Sequence, residues 1–168
     1  SYYISHEEGH PRHAAIVYSG GDDLFIVGAW NDVIELAVDI KDSLKTYTEN
    51  TLTLSGGIGL YTSTYPISVI ADEVAEMEDK SKGHEGKNSI TLFEDGKDHK
   101  EGKEDHISDG TYTWDDCTER VIKEKYAVLD HFFRKSMSGD KSDTERGKAF
   151  LYHLLELIRK RNEGINFA

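Results

Sequence analysis

Alternating apolar and polar positions divide the first half of the chain into strand-like and helix-like runs. Two runs rich in β-branched and aromatic residues, 14–18 and 24–27, flank a Gly-Gly-Asp-Asp string and predict a β-hairpin. The run 52–61, which contains Thr, Leu and Ile, predicts another strand, and the glycines inside it indicate a bulge or a close backbone approach. The run 89–93 predicts a short last strand.

Two segments between these strands carry apolar residues at helical spacing. The first, 31–48, has a stripe formed by Val33, Leu36, Ala37, Ile40, Leu44 and Tyr47. Asp32 is followed three residues later by Glu35, which resembles a capping box with Asp32 as the cap. The second helix is predicted to begin at Pro66, a residue suited to a first turn. This order of elements predicts an α+β fold with helices packed on a mostly antiparallel sheet.

The amino-acid composition of the chain changes near residue 95. Residues 94–110 are rich in Asp, Glu, Lys and Gly with almost no apolar positions, which is typical of a linker. Helical spacing returns over 113–133 and again over 144–161. We therefore predict an α+β domain at 1–95, a charged linker at 96–112 and a helical domain at 113–168, whose apolar faces need a partner to cover them.

Composition and charge limit the classes of function. The chain has 168 residues with a net charge of −12, so any nucleic acid is expected to be held by other subunits or by other parts of a longer polypeptide. No apolar run approaches the roughly 20 residues that span a bilayer, and we expect no membrane partner. Cys117 is the only cysteine, which excludes an intrachain disulfide and fits a reducing cytoplasm. The spacing of His6, His10 and His13 matches no structural zinc pattern.

The predicted hairpin tip carries the chemistry. Gly20 and Gly21 allow a bulky polyanion to approach the backbone, while Asp22 and Asp23 supply the hard oxygen ligands that Mg²⁺ or Mn²⁺ prefers. This combination suits metal-dependent chemistry on a nucleoside triphosphate. Ser19 is a candidate donor to a phosphate or ribose oxygen. The competing interpretation is a solvated turn at the end of an ordinary strand.

The ordered set of motifs resembles one family. The run 18–25, Tyr-Ser-Gly-Gly-Asp-Asp-Leu-Phe, resembles the second palm domain in the large subunit of type III CRISPR–Cas effector complexes, with the III-A branch most similar. The run 54–59, Leu-Ser-Gly-Gly-Ile-Gly, is similar to the glycine-bearing strand of that palm. Ala71-Asp72 and the later Gly-Lys-Asn-Ser at 86–89 follow a pattern shared with GGDEF-type cyclases. The run 150–155 is similar to the C-terminal helical domain of that subunit.

The resemblance implies a fold, an activity and a set of site residues. The fold is a ferredoxin-like palm at 1–95 that lacks its first strand and helix, which another chain or an upstream part of the polypeptide would supply. The activity is cyclic oligoadenylate synthesis from ATP on target RNA binding, within a complex of III-A subunits and guide RNA. Asp22 and Asp23 would be catalytic metal ligands. Ser19, Gly20, Gly21, Lys82 and Lys87 would bind the nucleotide, although the loop is one residue longer than the common cyclase spacing.

Two other functions compete with this one. The acidic surface and the missing first strand also suit a structural module that docks partners without catalysis. A diguanylate cyclase is disfavoured because position 23 is Asp rather than Glu, and because no Arg-x-x-Asp motif precedes the hairpin. The adjacent acid and histidine pairs run in the order Asp-His, the reverse of an HD nuclease motif, so no nuclease activity is assigned to this chain.

Overall fold

A computed structural model of the chain describes Ile4 and residues 9–93, 110–131, 150–154 and 156–157. The chain forms two compact units, Ser1–Ile122 and Lys123–Ala168. Residues 96–109 of the predicted linker lie outside the described residues, and so does His6. Of the last predicted helix, 144–161, only residues 150–154 and 156–157 are described. Within the described residues no helix is long and apolar enough to cross a membrane.

The first element pair is the predicted hairpin. β1 (Ala14–Gly20) pairs antiparallel with β2 (Asp23–Gly28), and Gly20 lies opposite Asp23 where the hairpin closes. A register shift between Ile16 and Tyr18 marks a β-bulge in β1. Most side chains of this two-stranded sheet are exposed, including Ile16, Val17 and Tyr18.

The first helix follows directly. α1 (Trp30–Tyr47) begins one residue before the predicted start and buries Ile34 and Val38. The predicted capping role of Asp32 is wrong: the cap residue is Ala29, and no side chain caps the helix. Asp32 instead lies within the first turn, where it is buried and bonds to side chains from the segment before β1.

A second sheet contains β3 (Gly56–Ile58), β4 (Ser89–Leu92) and β5 (Thr111–Thr113) in that order. The predicted strand 52–61 is much shorter than expected because only three of its residues form ladder pairs with β4. The β3–β4 pair is parallel and the β4–β5 pair is antiparallel. α2 (Ile67–Gly83) connects β3 to β4, as a parallel pair requires.

The helix α2 packs closely on β3 at one glycine. A Cβ at Gly57 would lie 2.5 Å from the Cβ of Met77 and 2.8 Å from the carbonyl oxygen of Val74. Only a residue without a side chain allows this approach. The same layer forms the main core, in which Ile58, Met77, Ile90, Leu92, Trp114 and Cys117 are buried.

The chain then continues as a helix. α3 (Trp114–Asp116) is followed by a π-helical stretch, Cys117–Tyr126, and helical residues continue to 131, which confirms the predicted helix over the described part of 113–133. The Trp114 indole nitrogen donates to the carbonyl oxygen of Leu54 at 2.8 Å. That bond ties the start of α3 to the segment before β3.

The two sheets are not joined to each other by ladder pairs within the described residues. An apolar groove of about 590 Å³ separates them, with Phe25, Ile26 and Val27 from β2 on one side and Gly57 and Ile58 from β3 on the other. The architecture is a mixed α+β fold with small sheets and helices, as the sequence predicted.

Candidate functional site

The tip of the hairpin brings the four predicted residues into one tight turn. Gly21 has a φ of 63°, a conformation that glycine adopts without strain. Asp22 follows it in the turn, and Asp23 opens β2; both side chains are exposed. The turn therefore presents two neighbouring carboxylates to solvent from a backbone fixed by the β1–β2 ladder.

Ser19 and Gly20 form the other side of the tip. Ser19 is exposed and lies opposite Leu24 in the ladder. A Cβ at Gly20 would crowd the hydroxyl and ring of Tyr18, so a side chain there would require the exposed Tyr18 to rotate away. Tyr18 is thus part of the surface of the tip, and the sequence analysis did not single it out. Its position two residues before Gly20, on the same face of the strand, is the signal that could have identified it.

Lys82 lies in the last turn of α2 and forms an ion pair with Glu78, with 2.9 Å between Nζ and Oε1. The hydrogen bond and charge of Glu78 raise the pKa of Lys82 most, and the charges of Asp79 and Asp23 raise it further. The charge of Asp23 is the smallest of these causes. Within the described residues Lys82 forms no ion pair with either hairpin aspartate, and its ion-pair partner is Glu78.

Lys87 lies in the turn between α2 and β4. It is exposed with a φ of 53°, and its backbone N–H donates to the carbonyl oxygen of His84 at 2.8 Å. No ion pair between Lys87 and either hairpin aspartate is found in the described part of the chain. Lys87 thus follows Lys82 closely in the chain, and the described residues show no ion pair from either lysine to the tip.

At the start of β1, a cluster of polar side chains holds the hairpin to α1. His10 Nε2 lies 3.0 Å from one carboxylate oxygen of Asp32, and His13 Nδ1 lies 3.1 Å from the other. The backbone N–H of His13 also donates to Asp32 at 2.8 Å. These bonds, with that from His10 the largest cause, lower the pKa of Asp32 to about 2. Arg12 extends the cluster by pairing with the buried Glu35 and with Asp39.

The chemistry of the donor set decides whether a divalent cation fits. Asp22 and Asp23 offer carboxylate oxygens, the ligands that Mg²⁺ takes in one- or two-carboxylate sites completed by substrate phosphates. Among the described residues no group of three or more His, Cys, Asp or Glu side chains forms a complete metal cage. The pair therefore fits a cation shared with a triphosphate. Cys117 does not contribute, because burial raises the pKa of its thiol to about 11.

A hairpin that carries paired carboxylates at its tip, with helices packed beside it, defines a palm domain. The family described as Cas10/Cmr2, second palm domain, matches residues 3–91. The second helical domain of the Cmr2 subunit of the CRISPR RNA silencing complex matches residues 130–168. The chain therefore belongs to the Cas10/Cmr2 family, which confirms the predicted family and the palm fold.

The relatives give the extent of this likeness. A protein from Mycobacterium tuberculosis is 42% identical over 158 residues, which cover 94% of this chain and 17% of that protein. One from Enterococcus italicus is 37% identical over 154 residues, covering 92% of this chain and 18% of that protein. Both are named CRISPR system single-strand-specific deoxyribonuclease Cas10/Csm1 (subtype III-A). The chain thus spans less than a fifth of the length of these relatives.

A solved structure is similar as well. It is described as a crystal structure of a Csm1–Csm4 cassette in complex with one ATP. It is 31% identical, has a TM-score of 0.58, and the match covers 86% of this chain and 19% of that chain.

Proposed function

We propose that this chain is the palm part of a cyclic oligoadenylate synthetase that acts within a type III-A CRISPR effector complex. The observation that carries the proposal is the glycine turn that presents the exposed carboxylates of Asp22 and Asp23 side by side. Two neighbouring carboxylates at an open glycine turn suit a metal-bound triphosphate. The ATP in the similar Csm1–Csm4 structure supports nucleotide binding by this fold.

The proposed reaction is nucleotidyl transfer. The 3′-hydroxyl of one adenosine attacks the α-phosphate of another ATP, so an O3′–P bond forms, the bond to the β-phosphate breaks, and pyrophosphate and a proton leave. Ring closure repeats the step between the two ends of one oligomer. A divalent cation, when bound, stabilises the attacking and leaving oxygens. The target-RNA signal that starts synthesis would reach the site through the complex.

Each site residue has a distinct role in this proposal. Asp22 and Asp23 hold the cation, Mg²⁺ or Mn²⁺, against the triphosphate. Gly20 and Gly21 leave the backbone open to the phosphates, and Ser19 donates to a phosphate or ribose oxygen. Lys82 contacts the triphosphate, and Lys87 adds positive charge from the following turn.

The proposed partners are other III-A subunits, in line with the Csm4 in the similar structure. Guide and target RNA would be held through the complex, because this chain has a net charge of −12. The nuclease activity in the relatives' names is not part of the proposal for this chain. The groove between the two sheets favours a second candidate, a structural module that docks a partner and does not bind ATP.

The test compares products by mass spectrometry. The complete effector complex receives ATP, Mg²⁺ and target RNA, and the same complex carries Asp22→Ala with Asp23→Ala in a second arm. We expect cyclic oligoadenylate from the first arm and a loss of at least about a hundredfold in the second, as for removal of a principal electrostatic group. A matched control replaces two exposed helix carboxylates, Asp42→Ala with Glu76→Ala, and should keep full activity.

The two candidates differ in a binding measurement. A structural module would bind no ATP with or without Mg²⁺. The Asp22 and Asp23 substitutions would then change neither the binding of ATP nor the products of the complex. Intact ATP in every arm would reject the synthetase proposal.

A further inference from the structure

The segment that enters the hairpin, residues 10–13, is bonded to one face of α1. Its partners on the helix are three carboxylates spaced by three and four residues, Asp32, Glu35 and Asp39, a spacing that puts them on the same face. Asp32 and Glu35 are almost completely buried, each with 1% exposure. We call residues 10–13 the strap, because they cross the base of the hairpin and hold it to the helix.

Arg12 of the strap joins two successive turns of α1. Its Nη1 donates to Glu35 Oε2 at 2.6 Å, and its Nη2 donates to Asp39 Oδ2 at 2.5 Å. The other Glu35 oxygen accepts from the backbone N–H of Ile4 at 2.5 Å. A guanidinium fork spread over two carboxylates is strongly directional. A buried carboxylate that lost this cation would keep the cost of its burial, so the closed strap is strongly favoured.

His13 of the strap fixes the base of the hairpin through its backbone. Its N–H donates to Asp32 at 2.8 Å, and its carbonyl oxygen accepts from the N–H of Ala29 at 2.8 Å. A Cβ at Gly28 would lie 2.4 Å from that carbonyl oxygen, so this close approach requires a residue without a side chain. One residue therefore ties the start of β1 to the end of β2 and to the first turn of α1.

Beyond this base most of the hairpin is exposed. Five of the seven residues of β1 and four of the six residues of β2 are exposed, and among the described strands these two pair only with each other. Six strand steps place the tip about 20 Å from the base. A rotation of about 10° at the base would therefore move the tip by about 3.5 Å, whereas a functional site needs its groups held to within about 0.5 Å.

We propose that the strap closes a hinge at the base of the hairpin and so sets the direction in which the tip presents Asp22 and Asp23. Arg12 and Asp32 are then positioning residues that act through the backbone of the hairpin. When the strap leaves α1, the hairpin keeps its own ladder but turns more freely against the helix. A force or a partner that displaces the segment before β1 would loosen the tip by the same route. The effect on product formation rests on the proposed function.

The test is hydrogen–deuterium exchange on the complete effector complex, unmodified and with Arg12→Gln or Asp32→Asn. The amides of His13 and Ala29 report on the base directly, because both donate across it. We expect their exchange to rise about tenfold, the loss of one hydrogen bond to a charged group. The amides of β4, which lies in the second sheet, should exchange as before.

The same complexes are assayed for oligoadenylate at a temperature where melting curves show all of them folded. We expect kcat to fall about tenfold, because a tip that turns freely spends less time aligned with the substrate. We expect KM to change less than about twofold, because the charges at the tip are retained. Arg12→Lys keeps the charge but cannot span both carboxylates, so its exchange and kcat should lie between those of the unmodified complex and Arg12→Gln.

A matched control breaks an ion pair on the same helix that does not involve the strap. Lys41 Nζ lies 3.0 Å from Asp42 Oδ1, and Asp42→Asn should change neither exchange at the base nor kcat. An equal rise of exchange in the hairpin and in β4 would overturn the proposal, because a cluster that only stabilises the whole fold behaves in that way. Unchanged exchange at His13 and Ala29 in the strap variants would overturn it as well.

Hydrogen exchange separates this inference from the proposed function. If the unmodified complex makes no oligoadenylate, the synthetase proposal fails, and the exchange of His13 and Ala29 still decides whether the strap closes the hinge. If exchange at the base rises while kcat stays unchanged in an active complex, the strap does not position the tip and this inference is rejected.

Discussion

Asp32 joins two elements through one carboxylate. It accepts hydrogen bonds from the segment before β1 while it lies in the first turn of α1. The sequence pattern of Asp followed by Glu at three residues is the usual signature of a helix cap. In this fold the Asp32 carboxylate makes a tertiary contact instead, because it bonds to His10 and His13 from the segment before β1.

The lowered pKa of Asp32 predicts a pH dependence of stability. Its pKa falls from 3.8 to about 2 on folding, so the unfolded state binds the proton more tightly. The stabilisation is complete above about pH 4 and is lost as the pH falls from about 4 towards 2. We expect the difference in melting temperature between the protein and Asp32→Asn to shrink over that interval.

The matched control for this prediction is Asp42→Asn, an exposed carboxylate on the same helix. Its effect on the melting temperature should be small at every pH. A constant difference between Asp32→Asn and the unmodified protein from pH 7 to pH 2 would contradict the assigned role.

At the scale of elements, the contact between α2 and β3 depends on one glycine of a pair. Gly57→Ala would force its methyl group against Met77 and the backbone of α2, and we expect a loss of about 2 kcal/mol in the free energy of unfolding. Gly56→Ala is the matched control, because nothing lies within 4 Å of a Cβ there. Denaturant unfolding measures both, and equal losses would show that the contact is not tight.

The elements that were predictable are those specified by local periodicity. The bounds of α1 agree with the prediction to one residue. The predicted stripe was wrong in detail, because α1 buries Ile34 and Val38 while Tyr47, the last residue of the predicted stripe, is 90% exposed. The predicted strand at 52–61 was too long, because the alternating sequence pattern continues beyond the three residues that pair, Gly56–Ile58. β5 has only three residues, and its pairing with β4 depends on contacts across the linker, which no local pattern encodes.

The residues of the candidate site also divide into those that a local sequence pattern predicts and those that it does not. The hairpin turn at Gly20 to Asp23 was predictable because its residues are contiguous in sequence, and their role in binding stays a prediction. The ring of Tyr18 beside Gly20 was not found, because isolated Tyr residues are common in strands. The charge of Asp23 acts on Lys82 through space, and only the resemblance to cyclases had placed both residues in one candidate site.

At the scale of the whole molecule, the groove between the two sheets has a largely apolar lining that is open to solvent. The isolated 168-residue chain should therefore bind a fluorescent apolar dye. Val27→Lys places a charge in the groove and should reduce the fluorescence by roughly half. Val17→Lys is the matched control on β1, outside the groove. Equal reductions in both variants would place the dye elsewhere.

The separation of the two sheets also orders the events of folding. β1 and β2 close over a turn of two residues, so the hairpin can form on the microsecond timescale without any distant contact. β3 and β4 are parallel and can pair only after the chain between them, which contains α2, has crossed back over the sheet. The two carboxylates at the hairpin tip therefore belong to the region with the shortest loop closure, and the end of α2 that carries Lys82 is placed in the later, slower step.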